Sequence, residues 1–176
     1  MAKPGLVWAE FAAETGAIAN DIAGLVERYG FGLVGTIRRD GTPRISAVET
    51  HLVNDDLMVV MIPRTRKASD VRRDDRITMQ SPVLDAGAPG AEYKLHGRAA
   101  IVNDAEARGA VCRAIEARSG WRPEKTWLFL SVLVSEATHF SWSADGGCDL
   151  RSWKVGERVE RRMLRLDARL GGYRSD

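Results

Sequence analysis

The sequence predicts a mainly β protein in which helices pack on an antiparallel sheet or cap a small barrel. At least six segments are rich in strand-forming residues, and short turn signals join the first three. Strands and helices do not alternate regularly along the chain, so the sequence does not indicate a parallel sheet. The length of 176 residues, with 44% hydrophobic and 28% charged residues, predicts a single domain over 1–176 with an ordinary core.

A helix is predicted over residues 8–28 because apolar side chains recur there at helical spacing, and Gly30 follows as a stop signal. Three strands are then predicted at 31–39, 44–53 and 57–62. The turns between them carry Asp40-Gly41-Thr42-Pro43 and Asn54-Asp55-Asp56, which favour tight reversals. Short connections between consecutive strands predict antiparallel pairing.

The remaining elements follow from the same patterns of apolar spacing, capping residues and turn residues. They are a short helix within 64–75, strands at 77–81 and 92–102 separated by a loop at 82–90, a helix at 105–118 that begins after Asp104, a long strand or strand pair at 126–142, a turn at 145–147 and a last short strand at 150–155. A barrel over about 31–155 is therefore followed by a basic C-terminal tail at 156–176.

Several classes of function are disfavoured. A formal net charge of +2 lacks the basic excess typical of nucleic-acid-binding domains, and no apolar run approaches the length of a membrane span. Two separated cysteines indicate reduced thiols in a cytoplasmic protein. The sequence contains no glycine-rich nucleotide-binding motif and no serine nucleophile elbow. No metal site is predicted, because His51, His96 and His139 lack the spacing of metal ligands.

The segment after the third strand favours an anion site. Thr65 can cap the following helix, and Arg66 and Lys67 then fall in its first turn. Cations oppose the helix dipole at that position, but a phosphate held between them and the free amides relieves the conflict. The alternative is a solvated basic loop.

Aromatic side chains give a second signal. Trp142 and Trp153 flank the turn at Asp145-Gly146-Gly147, which we expect to bring them together with Arg151. An aromatic face beside a cation suits a planar, anionic, conjugated ligand. The alternative for either tryptophan is packing in the core.

Three motifs carry a resemblance to a known family. Residues 37–46, Ile-Arg-Arg-Asp-Gly-Thr-Pro-Arg-Ile-Ser, resemble the first hairpin of the FMN-binding split β-barrel family related to pyridoxamine 5'-phosphate oxidase. Residues 66–74 are similar to its phosphate-side segment, and residues 94–99, Lys-Leu-His-Gly-Arg-Ala, resemble its next strand. The resemblance covers about 8–155 and implies a six-stranded antiparallel split β-barrel.

The resemblance also implies a homodimer with FMN at the subunit interface. It places the phosphate on Arg66 and Lys67, with Thr65 where many members have Ser. The other implied cofactor contacts are Arg44, Ile45, Ser46, Val60, Met61 and Ile62 along the ring, Gln80 and Ser81 at the ring or ribityl chain, and Trp142 and Trp153 from the partner subunit. The apolar run 57–62 supports the dimer, because both of its faces need cover.

The resemblance implies that the protein is a flavin-dependent oxidoreductase, which transfers hydride between FMN and a small substrate. The substrate-phosphate residues of true pyridoxamine 5'-phosphate oxidases have no matches here, and no catalytic residue is identified. Two alternatives remain open: the same fold with the deazaflavin coenzyme F-420, whose anionic tail Arg64, Arg72 and Arg73 could bind, and a non-enzymatic flavin or haem binding module.

Overall fold

The structure, a computed structural model, describes residues 5–83, 89–167 and 172–175, with side chains described up to 165. These residues form four helices and nine strands. The helices are α1 (Trp8–Thr15), α2 (Ala17–Tyr29), α3 (Arg66–Arg73) and α4 (Ala105–Ser119); the strands are β1 (Phe31–Ile37), β2 (Pro43–Val53), β3 (Asp56–Met61), β4 (Arg76–Gln80), β5 (Gly90–Ile101), β6 (Leu128–Trp142), β7 (Gly147–Lys154), β8 (Glu160–Asp167) and β9 (Gly172–Ser175).

The first six strands form a closed antiparallel barrel. They follow the order β3-β2-β1-β4-β5-β6, and β3 also pairs with β6, which closes the ring. The strands β7, β8 and β9 continue the sheet outside the barrel from β6. This arrangement confirms the predicted six-stranded antiparallel β-barrel.

The predicted turns between the first strands form as expected. The amide of Thr42 donates to Oδ1 of Asp40 at 3.0 Å, and Gly41 adopts a φ of +84°. Asn54 and Asp55 also lie in the left-handed region, with φ of 52° and 57°; asparagine and aspartate tolerate this region better than most residues. Both reversals are short, so β1, β2 and β3 form a meander.

The N-terminal helical segment is two helices rather than the single predicted helix over 8–28. Gly16 lies between them with a φ of +51° and a ψ of −98°, outside the helical range. The chain bends there, and both helices bury apolar side chains against the barrel core. The ring of Phe11 on α1 lies 5.2 Å from the ring of Trp153 on β7.

Both faces of β3 are buried, as the sequence predicted, but the outer face is covered within the same chain. Leu57, Val59 and Met61 belong to the barrel core. On the outer face, Met58 and Val60 pack with Phe129 and with the α4 residues Val111, Cys112 and Ile115. The expectation that a partner barrel covers this strand is therefore wrong, because α4 of the same chain already does so.

The C-terminal region differs from the predicted tail at 156–176. The strands β8 and β9 form there. In the antiparallel pairing of β7 with β8, Gly147 lies opposite Arg165 at one end and Ser152 lies opposite Glu160 at the other. The long segment before them is one strand, β6. Residues 84–88 of the predicted loop and 168–171 and 176 of the predicted tail lie outside the described residues.

Within the described part of the chain, no helix is long and apolar enough to cross a membrane.

Candidate functional site

A buried carboxylate attaches α3 to the barrel. Asp70 is 4% exposed and accepts hydrogen bonds from Nε of Arg44 at 2.6 Å and from the hydroxyl of Thr36 at 3.1 Å. Burial by itself would raise the pKa of Asp70, but the hydrogen bonds from Arg44 and Thr36 outweigh it and hold the pKa below its usual value. The position of α3 relative to β1 and β2 is thus fixed by an ion pair with little exposure to water.

The N-terminus of α3 is capped as the sequence predicted. The hydroxyl of Thr65 accepts from the amide of Ala68 at 3.4 Å and donates to the carbonyl of Ile62 at 2.8 Å. The amides of Arg66 and Lys67 have no intrahelical acceptor, since they lie in the first turn. These amides and the helix dipole favour an anion at this end of α3.

Arg66 and Lys67 point to different sides of α3. The Lys67 amine donates to the carbonyl of Ala47 on β2 at 2.8 Å. This part of β2 lies beyond its pairing with β3, which begins at Glu49, so the amine reaches the open edge of the strand. Partial burial lowers the pKa of Lys67, although a lysine at this edge still has N–H groups for a second acceptor.

Arg66 lies in a groove of about 490 Å³ that is dominated by guanidinium groups. Besides Asp40, Ser69 and Asp70, this arginine groove is lined by Arg38, Arg39, Arg44, Arg64 and Arg66. Among the ion pairs formed by described residues, only Arg44 of these five takes part. Five neighbouring arginines, offset by the buried carboxylate of Asp70 and the exposed carboxylate of Asp40, leave a net positive groove that favours an anion.

The other two arginines suggested for an anionic tail have structural partners. Arg72 donates to the carbonyl of Pro63 at 2.9 Å, and Arg73 donates to the carbonyl of Ile37 and to Asp70. They hold α3 against the chain segments beside it. Of the three arginines suggested for the deazaflavin alternative, Arg64 alone lines the arginine groove.

A second groove, of about 570 Å³, lies on the outer face of the barrel and is largely apolar. Leu33, Gly35, Ile37, Pro43 and Ile45 form its β1 and β2 side, and the β4 and β5 side carries Arg76, Thr78, Gln80, His96 and Arg98. Gln80 is oriented by a hydrogen bond to Glu92 at 3.3 Å. Ile45 is 73% exposed, and Ile62, beside β2, is 48% exposed. We call this depression the outer-face groove.

Four of the residues implied as cofactor contacts have buried side chains. Val60 packs against α4, Met61 points into the barrel core, and the Ser81 hydroxyl accepts from the amide of Tyr93 at 3.0 Å. Trp153 is 4% exposed and packs on Phe11 in the core. Burial excludes ligand contact by these side chains. For Trp153, the alternative of packing in the core is therefore the one that the structure shows.

The predicted cluster of Trp142, Trp153 and Arg151 does not form. The turn itself is present, since Ser143 and Gly147 are joined by a backbone hydrogen bond of 2.9 Å. However, Trp142 pairs with Cys148 at one end of the β6–β7 ladder, whereas Trp153 pairs with Ala137 towards the other. Arg151 instead binds Asp21 of α2 at 2.5 Å and His139 at 2.9 Å.

Sequence reasoning missed the contribution of the β1–β2 turn to the anion site. Arg38 and Arg39 precede Asp40 and Gly41, and the reversal of the chain there brings both arginines beside Arg44, Arg64 and Arg66. The signal was present as an Arg-Arg pair directly before a tight turn. Its significance depended on the packing of α3, which no local pattern reveals.

Comparisons with known proteins agree with this architecture. The family model described as pyridoxamine 5'-phosphate oxidase matches residues 18–135, while no curated protein matches the sequence significantly. A NimC/NimA family protein from Clostridium acetobutylicum superimposes with a TM-score of 0.61 at 12% identity, over 82% of this chain and 98% of that one. A conserved hypothetical protein from Mycobacterium tuberculosis gives 0.58 at 18% identity, over 88% and 89%.

A protein named F-420 reductase superimposes with a TM-score of 0.52 at 21% identity, over 65% of this chain and 93% of that one. At these identities the three structures show a shared fold alone. The family model, in contrast, spans most of the barrel, including β1 to β5, α3 and α4. With its closed six-stranded barrel and this match, the chain belongs to the pyridoxamine 5'-phosphate oxidase family.

Proposed function

We propose that this protein is a flavin-dependent oxidoreductase that transfers hydride between FMN and a small conjugated substrate. The observation that carries the proposal is the meeting of two unlike surfaces at the β1–β2 hairpin. Arg44 lines the arginine groove, while its neighbours Pro43 and Ile45 line the apolar outer-face groove. Arg44 points to one face of β2 and Ile45 to the other, so a ligand with a phosphate at one end and a planar ring at the other would reach both surfaces across the edge of β2 that precedes its pairing with β3 at Glu49.

The phosphate would be held at the N-terminus of α3. Thr65, Arg66 and Lys67 supply a hydroxyl, a guanidinium and an amine there, together with the first amides of the helix. Hydrogen bonds between charged groups contribute about 1.5–3 kcal/mol each. Arg44 would add a further cation, because its Nε is used by Asp70 while its side chain also lines the arginine groove.

The ring would lie against the outer face of β2, where exposed side chains remain beside Lys67. Ile45 and Ile62 offer apolar contact, and Gln80 offers polar contact at the ring edge. Ser46 pairs with the core residue Val34, so its side chain is on the other face of β2 and only its backbone would border the ring. Bound FMN would supply the two-electron chemistry, while the protein binds and orients the ring and limits its exposure to water. Val60, Met61, Ser81 and Trp153 take no part in this arrangement, since their side chains are buried.

The proposal includes a homodimer with the cofactor at the subunit interface. Phe31 on β1, Ile45 on β2 and Ile62 directly after β3 are large apolar side chains exposed on the outer face, at 38%, 73% and 48%. Exposed apolar surface of this kind favours a partner. A second copy packed along this face would also shield one side of the ring from solvent, as Trp142 from the partner would in the arrangement that the family resemblance implies.

A titration of the ligand-free protein with FMN and riboflavin tests the proposal. We expect FMN to bind at least tenfold more tightly, because riboflavin lacks the phosphate that α3 would hold. Flavin fluorescence quenching measures both affinities. Equal affinities would overturn the phosphate assignment, and the absence of any flavin binding would overturn the proposed function.

The second candidate is the same activity with the deazaflavin coenzyme F-420. It is favoured by the size of the cationic cluster, since Arg38, Arg39 and Arg64 line the arginine groove beyond the residues that one phosphate requires. An anionic tail longer than a single phosphate would neutralise more of these charges. A parallel titration with F-420 separates the two cofactors by affinity.

A further inference from the structure

A third depression, of about 460 Å³, lies between α4 and the chain segment that returns from this helix to β6. Phe129 of β6 forms the side next to the barrel, Pro123 lies on the returning segment, and Cys112 lies on α4. None of the described residues that line this depression also lines the arginine groove or the outer-face groove. We call it the α4 cavity, and it is separate from the site proposed for FMN.

The returning segment, residues 120–127, is attached to α4 by side-chain contacts. Arg108 of α4 donates to the backbone carbonyls of Lys125 and Trp127. The ring of Trp127 lies 5.0 Å from the ring of Trp121 in an edge-to-face arrangement, which adds stabilising contact within the segment. These contacts hold one wall of the α4 cavity in place.

Three cations line the α4 cavity, and none of its described lining residues is acidic. Arg122 is paired with Glu116 at 2.8 Å. Arg108 and Lys125 take part in none of the ion pairs between described residues. Two cations that lack a carboxylate of the same chain make the cavity electropositive, so it favours an anion.

Arg108 is the cation whose position is fixed. Its Nη2 donates to the two carbonyls, and its guanidinium carbon lies 4.6 Å from the centre of the Phe129 ring. Its Nε and Nη1 groups donate to none of the described residues, so they are donors for a ligand. A carboxylate matches the planar guanidinium, and its single charge costs less to remove from water than the nearly double charge of a phosphate monoester.

The remaining wall of the α4 cavity is mostly apolar. Phe129, Pro123 and Cys112 are buried residues. The Cys112 thiol has only a long contact of 4.0 Å from its Sγ to the carbonyl oxygen of Pro123, so it offers a ligand mainly apolar contact. A ligand that fills this cavity therefore needs an apolar body beside its anionic group.

Gly109 opens the cavity in the middle of α4. Its φ is not positive, and a Cβ built there would lie 3.4 Å from Nη1 of Arg113, with no other atom within 4 Å beyond the α4 backbone and the adjacent residues. Neither backbone conformation nor packing therefore requires a glycine, which weakens a helix relative to alanine. Because Gly109 lines the cavity, its missing side chain leaves room there for another molecule.

We propose that the α4 cavity binds a small monocarboxylate with an apolar body. Its carboxylate accepts hydrogen bonds from Arg108 and lies beside Lys125. Its body packs against Pro123 and Cys112 in the space that Gly109 leaves open. This inference goes beyond the proposed function and does not depend on it, because the cavity shares no described lining residue with the two grooves.

The acid 3-phenylpropionate tests the proposal in the full chain, with 3-phenylpropanamide as its neutral analogue and phenyl phosphate as an analogue of higher charge. Binding is followed through the backbone amide signals of Gly109 and Cys112 in NMR titrations. We expect the acid to bind at least about tenfold more tightly than the amide, because its hydrogen bonds are charge-assisted. It should also bind more tightly than phenyl phosphate, and saturation with FMN should leave its affinity unchanged.

One pair of variants tests the charge in the cavity. Lys125→Gln should weaken 3-phenylpropionate binding about fivefold or more and leave 3-phenylpropanamide binding unchanged, because only the acid carries a charge. Lys154→Gln is the matched control, since Lys154 is an exposed lysine of β7 that lies 3.4 Å from Glu136 and does not line the cavity. It should change neither affinity.

Substitutions of Gly109 test the space in the cavity. Gly109→Ala should raise the melting temperature by about 2–4 °C, because alanine favours a helix, and should weaken 3-phenylpropionate binding. Gly109→Leu should abolish binding, because its larger side chain fills the cavity. A glycine with a purely structural role would not show higher stability together with lower affinity, and the alanine variant decides the result if the leucine variant folds poorly.

Several results would overturn the proposal. These are equal affinities for the acid and the amide, tighter binding of phenyl phosphate, no binding of the acid up to about 10 mM, and an affinity that is insensitive to Lys125→Gln or to Gly109→Ala. Competition between FMN and the acid would place the acid in the flavin site, and dissociation of a dimer by Gly109→Ala would assign this face to an interface between copies. FMN titrations keep the two proposals distinct, since a protein that binds FMN but not the acid contradicts this inference alone.

Discussion

Nε of Arg44 donates to the Asp70 carboxylate at 2.6 Å, and this ion pair joins strand β2 to helix α3 beneath the arginine groove. Asp70 is buried, while the Arg44 side chain is 18% exposed. The pair therefore has two functions in the molecule. It fixes the helix whose N-terminus would bind phosphate, and it compensates for one charge of a cationic cluster.

Asp70→Asn should destabilise the protein by about 2 kcal/mol at neutral pH, because a hydrogen bond between charged groups is lost while Arg44 stays partly buried. The folded-state pKa of Asp70 is lowered. Its contribution is therefore complete above the unfolded pKa of about 4 and declines as pH falls through the folded value. Urea unfolding of both proteins from pH 7 to pH 3 should show their stabilities converging; a constant difference would contradict the ion pair.

Lys67→Ala should weaken FMN binding at least tenfold without loss of folding. The amine lies at the open edge of β2 beside the α3 N-terminus, where a charge-assisted bond to phosphate contributes about 1.5–3 kcal/mol. Fluorescence quenching measures the affinity, and thermal melting checks the fold. Lys125→Ala is the control, because Lys125 is an exposed lysine between α4 and β6 that lines neither the arginine groove nor the outer-face groove. Equal effects of the two substitutions would remove Lys67 from the site.

The double substitution Arg38→Ala with Arg39→Ala should discriminate between the cofactors. Both side chains line the arginine groove, so they would contact an extended anionic tail more than a single phosphate. We expect a tenfold or greater loss of F-420 affinity and a smaller loss for FMN, with the F-420 loss reduced at high salt. Arg113→Ala on α4 is the control. A larger loss for FMN would contradict the deazaflavin candidate.

Trp153→Ala should destabilise the protein by about 3–5 kcal/mol, as expected when a large aromatic side chain is removed from a core. The ring packs on Phe11 and connects β7 to α1. Denaturant unfolding gives the change in stability. At temperatures where the variant is folded, its FMN affinity should equal that of the wild type, and a selective loss of affinity would return Trp153 to the cofactor site.

Light scattering should give a mass of twice the 19.4 kDa chain. Phe31→Glu should shift the equilibrium towards monomer, because it places a charge on the apolar outer face of β1. The control is Met163→Glu on β8, a similarly exposed side chain (47%) away from this face. A wild-type monomer at micromolar concentration would contradict the proposed dimer, and equal effects of the two variants would place its interface elsewhere.

Local sequence patterns determined most of the barrel and one part of the site. Asp40-Gly41 and Asn54-Asp55 specify tight reversals by their backbone preferences, so the β1–β2–β3 meander could be predicted from neighbouring residues alone. Thr65 likewise marks the start of α3, because a capping residue acts within its own turn. The strands β8 and β9 were not predicted, since β8 is rich in charged residues and β9 is only four residues long, so neither shows the apolar alternation by which a strand is recognised.

Only the tertiary structure decided which residues share a surface. The family resemblance implied Val60 and Trp153 as cofactor contacts, yet α4 covers one and Phe11 covers the other. Conversely, Gly35, Thr78 and His96 are far apart in sequence and meet in one row through strand register. Turns and caps depend on a few neighbouring residues, so the sequence by itself determined them. Strand register and helix packing depend on the whole core, so only the tertiary structure decided them.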